Sequence, residues 1–225
     1  MSASPLEAGQ RVVPLTRLRA AVARTVTASA AIPQFTVEYD VEVAGMSAIR
    51  AQLPASVSYT DMVHAATAQA LTRHRRLNAS WGEQGIVEHA SVNLGFALAV
   101  AAQDGIVVPS ILDADKLTLP ELAERRRSLT GAALEGGLRP ADVLYTTFTV
   151  SNLGATGVSR FSALVLPPQA AILAVGGARP HGTMTLALSC DHRVVDGLPA
   201  AVFLRDVAEL LHDPGWMQEL TGSRS

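Results

Sequence analysis

The sequence predicts an α+β fold in which a mixed sheet is flanked by helices. Three observations carry this. A chain of 225 residues that is 48% hydrophobic can bury a sizeable core. Its helical periodicities cluster before and after a β-prone middle. No internal repeat, low-complexity linker or break in composition divides it.

The elements follow in order. Residues 1–13 read as a flexible leader. Leu15, Leu18, Val22 and Val26 are helically spaced, and the helix they predict over 15–29 ends before Pro33. Residues 35–43 alternate apolar with polar, the pattern of a half-buried strand, and 46–53 form a short helix closed by Pro54. Thr60 and Asp61 precede a longer helix through Met62, Val63, Ala66, Ala70 and Leu71, ending near Arg76. Short strands at 79–81 and 86–88 flank a turn holding Gly82 and Gly85. The runs 92–101 and 106–112 are joined by Gln103-Asp104-Gly105, a hairpin signal. Thr118 and Glu121 are spaced as a capping box for a helix to about residue 134, stopped by Gly136 and Gly137. Strands at 148–152, 170–176 and 183–190 follow, then a helix over 198–212 that stops before Pro214.

Composition excludes several functions. Net charge is -2, and the one basic run, Arg125-Arg126-Arg127, lies in a helical pattern where a solvated face is expected, so no nucleic-acid partner is predicted. No apolar run reaches the ~18 residues that span a bilayer. The first residues lack the layout of a secretory signal, so a cytoplasmic location is expected. A single cysteine, Cys190, rules out an intrachain disulfide. Lys116 is the only lysine among 18 basic residues, which leaves little room for Schiff-base chemistry or a lipoyl-bearing arm. His64, His74, His89, His181 and His212 form no ligand pattern, and no metal is predicted.

Chemistry concentrates in Asp191-His192-Arg193-Val194-Val195-Asp196-Gly197, a charged stretch between an apolar strand and an apolar helix. Such groups are costly to bury together unless paired. One reading is a salt-bridged corner with Gly197 allowing a tight turn; the other makes His192 a general base. Cys190 invites a Cys-His reading, but strand alternation points neighbouring residues apart and favours a buried apolar role. A Ser-His-Asp triad through Ser151 is disfavoured because no nucleophile elbow surrounds that serine.

His-Arg-x-x-Asp-Gly resembles the signature of the dihydrolipoamide acyltransferase catalytic domain of 2-oxo acid dehydrogenase complexes, which shares the chloramphenicol acetyltransferase fold. Residues 14–24, Arg75-Arg76-Leu77-Asn78-Ala79, Gly105-Ile106-Val107-Val108-Pro109, Thr149-Val150-Ser151-Asn152-Leu153-Gly154 and Pro167-Pro168-Gln169 resemble that family's segments in order and spacing over 14–215. The resemblance implies a catalytic domain over 14–225, with His192 as general base and the Ser151 hydroxyl donating to the tetrahedral oxyanion. It implies that Asp196 pairs with Arg19 and shapes the His192 loop, supported by Asn152 and Gly197. It further implies a homotrimer with the base from one subunit and the serine from its neighbour. A small-molecule acceptor would enter a channel that includes Phe35, Phe96 and Phe161, with coenzyme A (acetyl-CoA as donor) entering from the other side.

Members of that family carry lipoyl and subunit-binding modules, which this sequence lacks; its tail turns polar, and its segment 177–183 is short. The reading favoured by these departures is a stand-alone acetyltransferase with no covalent lipoyl group. It would form a free trimer and acetylate a hydroxyl of a small metabolite, as in tetronate-type antibiotic biosynthesis. The alternatives are the catalytic core of a dehydrogenase complex and a non-catalytic trimeric scaffold.

Overall fold

The computed structural model describes residues 9–177 and 182–222. Its first half runs α1 (Arg17–Ser29), β1 (Gln34–Glu42), α2 (Val43–Gln52), α3 (Tyr59–Leu71), β2 (Ala79–Gly82), β3 (Gly85–Glu88), β4 (Leu94–Phe96), β5 (Leu98–Val100), β6 (Gly105–Val107) and β7 (Ser110–Ile111). The second half runs α4 (Leu119–Leu134), α5 (Ala141–Leu144), β8 (Phe148–Asn152), β9 (Ala171–Val175), β10 (Thr183–Asp191), α6 (Gly197–Leu211) and α7 (Pro214–Glu219).

Six strands form one sheet in the order β1-β10-β9-β8-β4-β7. The contacts β4–β8 and β8–β9 are parallel, and the others are antiparallel, so the sheet is mixed as predicted. Parallel strands are normally covered on both faces. Accordingly β9, Ala-Ile-Leu-Ala-Val, is buried at every position. Phe148 on β8 meets Phe203 on α6 with ring centroids 5.9 Å apart.

Local chemistry explains most boundaries. Thr16 caps α1 by accepting from Arg19 N at 3.0 Å, and Thr118 with Glu121 forms the predicted capping box of α4. The cap of α3 differs from expectation. It is Ser58, with Asp61 completing a capping box inside the first turn. The apolar run 92–101 also divides. β4 joins the large sheet, while β5 turns through Asp104, a left-handed residue at φ 50°, to pair with β6 in a separate hairpin. A Cβ at Gly105 would lie 2.5 Å from Leu18 Cγ, so this glycine lets α1 lie directly on the hairpin.

The helix α7 was not anticipated. Asp213 caps it, and its Met217 together with Leu220 is buried, so the apolar residues of the tail serve this chain's own core. The proposed leader is described only from residue 9, and among the described residues no helix or strand begins before Arg17. Most of the short segment 177–183, including His181, lies outside the described residues, as do residues 223–225. Among the described residues no helix is long and apolar enough to cross a membrane.

Arg126 on α4 locks to α3 through the fully buried Asp61, Nε to Oδ1 at 2.6 Å and Nη2 to Oδ2 at 3.3 Å. Burial alone would push the Asp61 carboxyl up. The bonds from Arg126 and Ser58 outweigh it and hold the group below its ordinary value. Its stabilising contribution is therefore complete above the unfolded-state pKa of about 4 and is lost as pH falls through the folded value. Arg126→Met, which strands a buried carboxylate, is expected to cost about 3–5 kcal/mol at pH 7 by urea denaturation. The gap from the parent chain should narrow as the pH falls below about 4; a gap that does not change with pH would show that Asp61 is not the partner that matters.

Candidate active site

His192 stands just past the end of β10, and the backbone there is tightly specified. Asp191 N donates to Ala170 O at 2.8 Å and His192 N to Pro33 O at 2.9 Å, while Val194 N and Val195 N both return to Asp191 O, at 2.9 and 3.0 Å. Asp191 is 1% exposed, yet it is fully answered: Arg193 Nε and Nη2 fork onto its two oxygens at 2.9 and 2.7 Å, and Arg193 N donates to Oδ1 at 3.0 Å. The guanidinium lies 5.0 Å from the ring centroid of Trp81 on β2.

The His192 side chain itself is exposed. Its ring packs on Phe35 with centroids 4.6 Å apart, and its Nδ1 lies 3.6 Å from Asp196 Oδ1. That separation is longer than a hydrogen bond, so Asp196 acts on the ring as a nearby charge. With the carboxylate on the Nδ1 side, Nε2 is the nitrogen left for proton transfer. Asp196 is also the N-cap residue of α6, without a side-chain capping bond.

Ser151 sits on β8 opposite Ala174 of β9. It lines an apolar cavity of about 320 Å³ walled by Val22 and Val26 of α1, Ile106, Leu166 and Ile172. Among the described residues its hydroxyl has no hydrogen-bond partner, so its proton is available to a ligand. Asn152, next along, donates to Thr60 Oγ1 at 3.2 Å and accepts from Gly154 N at 2.8 Å, which fixes the end of β8 to α3.

The structure does not bring Ser151 and His192 together within one chain. Ser151 is level with Ala174, and Ala174 with Ala187, which places His192 five residues farther along β10. At about 3.3 Å per residue this is roughly 17 Å along the strands, before the lateral spacing of two strands, about 10 Å, is added. Groups acting on one carbonyl need contact within about 3–3.5 Å. Within a single chain the two groups stand apart, His192 past the end of β10 and Ser151 level with its middle.

Two expectations are corrected. Arg19 does not reach Asp196; it pairs with Asp104, Nη2 to Oδ1 at 2.9 Å and Nε to Oδ2 at 3.3 Å. The reason is that Thr16 Oγ1 donates to Gln103 O at 2.9 Å and seats the start of α1 on the β5–β6 turn. Gly197 is not demanded by sterics, since a Cβ there meets nothing within 4 Å. The sequence reading also missed Trp81 and Asp104. Each acts across a contact distant in sequence, and no local spacing announces it. Phe35 belongs to the His192 site, as expected; Phe96 lies by a separate cavity, against His64. Among the described residues no group of acids, histidines and cysteines is placed to hold a metal ion.

This mixed sheet, with a presented histidine and a serine facing a cavity, has a chloramphenicol acetyltransferase-like architecture. Chloramphenicol acetyltransferase itself shares the architecture at 16% identity, with a TM-score of 0.59. The chain belongs to the 2-oxoacid dehydrogenases acyltransferase (catalytic domain) family, which it matches over residues 7–218. It is 34% identical, over 93% of its length, to dihydrolipoyllysine-residue acetyltransferase component 4 of the chloroplastic pyruvate dehydrogenase complex of Arabidopsis thaliana, and covers 46% of that protein. It is 31% identical, over 90% of its length, to the corresponding component of the acetoin cleaving system of Bacillus subtilis, covering 55% of it. The chain thus spans about half the length of these curated relatives. Among solved structures, dihydrolipoamide acetyltransferase of Azotobacter vinelandii superposes with a TM-score of 0.88 at 27% identity, covering 97% of this chain and 99% of that one. A probable dihydrolipoamide acetyltransferase of Listeria monocytogenes gives 0.84 at 31% identity, covering 91% and 95%.

Cys190 is fully buried, and burial, aided by the Asp191 charge, pushes its thiol up to about 12. Iodoacetamide should therefore leave the native chain unmodified at pH 8 by mass spectrometry, and Cys190→Ala should retain acyl transfer. Inactivation by stoichiometric alkylation at Cys190 would restore the nucleophile reading.

Proposed function

We propose that this chain transfers an acetyl group between coenzyme A and a thiol of the dihydrolipoamide type, at sites completed between copies of a homotrimer. The observation that carries this is the division of the machinery: an exposed His192 past the end of β10, and an unpartnered Ser151 hydroxyl facing a cavity, level with the middle of that strand. His192 of one copy takes the proton from the acceptor thiol as its sulfur attacks the thioester carbonyl. The oxyanion receives a hydrogen bond from Ser151 of the neighbouring copy. Collapse breaks the carbon–sulfur bond to coenzyme A, and the departing thiolate takes the proton back from the imidazolium. Transfer is direct, and no acyl-enzyme forms.

The relatives support this reading over a hydroxyl acceptor of the tetronate kind, because those named above are dihydrolipoyllysine-residue acetyltransferases. In the Azotobacter vinelandii enzyme a serine, a histidine and an asparagine four positions after the histidine have roles studied in the catalytic mechanism. Here Ser151, His192 and Asp196 stand in the same order and, for the last two, at the same spacing. A non-catalytic scaffold would leave the exposed His192–Asp196 arrangement without a use.

Coenzyme A release from acetyl-CoA, with dihydrolipoamide as acceptor, tests the reading. His192→Ala should lower kcat by about 10²–10⁴ and Ser151→Ala by about 10²–10³. Co-expressing the two variants should restore turnover at about one interface in four, where an intact histidine meets an intact serine. Transfer to alcohols but not to dihydrolipoamide would reinstate the hydroxyl reading. Folded variants that never complement each other would place the whole site in one chain.

A further inference from the structure

A second cavity, of about 230 Å³, lies on the other side of β8 from Ser151 and is lined by His64, Thr60, Phe96, Val150 and Asn152. Alternation along the strand sends Val150 and Asn152 to this face and Ser151 to the opposite one. Ala97, whose backbone N–H donates to Val150 O at 3.0 Å, lines both cavities, so they meet over the end of β4.

His64 is 1% exposed, and its Nδ1 lies 2.7 Å from Thr60 O. A carbonyl only accepts, so Nδ1 carries the proton and Nε2 presents a bare lone pair. That Nε2 is buried and has no hydrogen-bond partner. Burial pushes the imidazole down to about 4 despite the Thr60 carbonyl, so the ring is neutral throughout the working range. Thr60 lies one helical turn before His64, on the same face of α3. Its hydroxyl oxygen accepts from Asn152 Nδ2 at 3.2 Å and keeps its own proton to give. The cavity therefore offers an unpartnered acceptor, His64 Nε2, and a donor, the Thr60 hydroxyl; of its other polar lining residues, Arg126 is engaged by Asp61 and Thr130 donates to Arg126 O at 2.8 Å. This acceptor and donor are the complement of a secondary amide, which has one N–H and one C=O.

We propose that this cavity seats a secondary amide on the arm of the thiol substrate, its N–H given to His64 Nε2 and its carbonyl receiving the Thr60 hydroxyl. The inference rests on the proposed function, in which both thiols carry an amide behind the sulfur: secondary in coenzyme A and in a lysine-linked lipoyl group, primary in free dihydrolipoamide, which still presents an N–H beside a C=O. It makes His64 a specificity-determining residue of the acyl-transfer site.

The test uses the full chain with His64→Leu, which removes the acceptor, and His64→Gln, which restores one. Steady-state KM values for acetyl-CoA, dihydrolipoamide and the amide-free dihydrolipoate are measured with each, beside calorimetric binding of coenzyme A and thermal unfolding. The expected result is a KM raised about three- to tenfold in His64→Leu for one amide-bearing substrate, with kcat held and the Gln variant near the parent. A rise for acetyl-CoA, mirrored in calorimetry, identifies the pantetheine arm. A rise for dihydrolipoamide, with dihydrolipoate unmoved, identifies the lipoyl amide. If the parent transfers acetyl and binds coenzyme A but no KM moves, or kcat falls equally with every substrate, the inference is overturned and the proposed function stands. If the parent neither binds coenzyme A nor acetylates dihydrolipoamide, the proposed function falls and takes this inference with it.

Discussion

A carboxylate closed off from water at the end of the longest buried strand has to be neutralised, and the way Asp191 is neutralised builds the His192 loop. Its partner, Arg193, is only two residues on, so the fork between them closes the chain into a tight corner. The residue between them is His192, which has no room in that corner and is turned outward onto Phe35. The carbonyl of Asp191 then collects Val194 N and Val195 N and steers the chain toward α6. A lysine at 193 would supply the charge but not the planar fork that sets the corner. The stacking of Trp81 over the guanidinium restricts it further from a hairpin outside the main sheet. His192 is thus presented by an electrostatic necessity, and the strand behind it stays buried from Met184 onward, down to the inert thiol of Cys190.

The sheet acts as a ruler between the two half-sites. Parallel pairing of β8 with β9 and antiparallel pairing of β9 with β10 put the serine level with the middle of β10 and the histidine beyond its end. A one-residue slip in either pairing would turn Ser151 away from its cavity, because alternate residues face opposite sides. Burial of β9 at every position holds the register, so fold stability and site geometry rest on the same contacts. A half-site carries no intrachain competitor for its reactive group. Among the described residues Ser151 keeps its proton, and the His192 ring meets the apolar Phe35 and, beyond hydrogen-bond distance, the Asp196 carboxylate.

Legibility in the sequence followed the range of the interactions. Elements set by local rules were readable: the capping box of α4, the alternation of β1, the periodic α6 and the placing of Ser151 on a strand and His192 at a strand–helix join. The mixed sheet was readable as a class, but its strand order was not. Strand order depends on pairings between residues far apart, and the split of residues 92–101 into two sheets has no local mark. The short helices α5 and α7 lack a period long enough to register. Ion-pair partners were the weakest point. Asp191 with Arg193, two residues apart, lay within the stretch singled out, whereas Arg19 with Asp104, 85 residues apart, was assigned to the wrong acid.

Reassigning Arg19 moves its role from the base to the cavity of the serine. α1 supplies Val22 and Val26 to the wall around Ser151, so whatever seats α1 shapes that cavity. The ion pair itself contributes little, because its side chains are 39% and 65% exposed and water screens such a pair. The contact that cannot be softened is Leu18 against Gly105, where the backbone of β6 has no side chain to interpose. Thr16, through its bond to Gln103 O, fixes the rotation of the helix about that contact. Arg19 and Asp104 then complete the charge balance of an exposed corner. Position therefore comes from shape and from one uncharged hydrogen bond, and the charges follow a placement already made. In the His192 loop the order is reversed: there the charge is buried, cannot be screened, and dictates the shape.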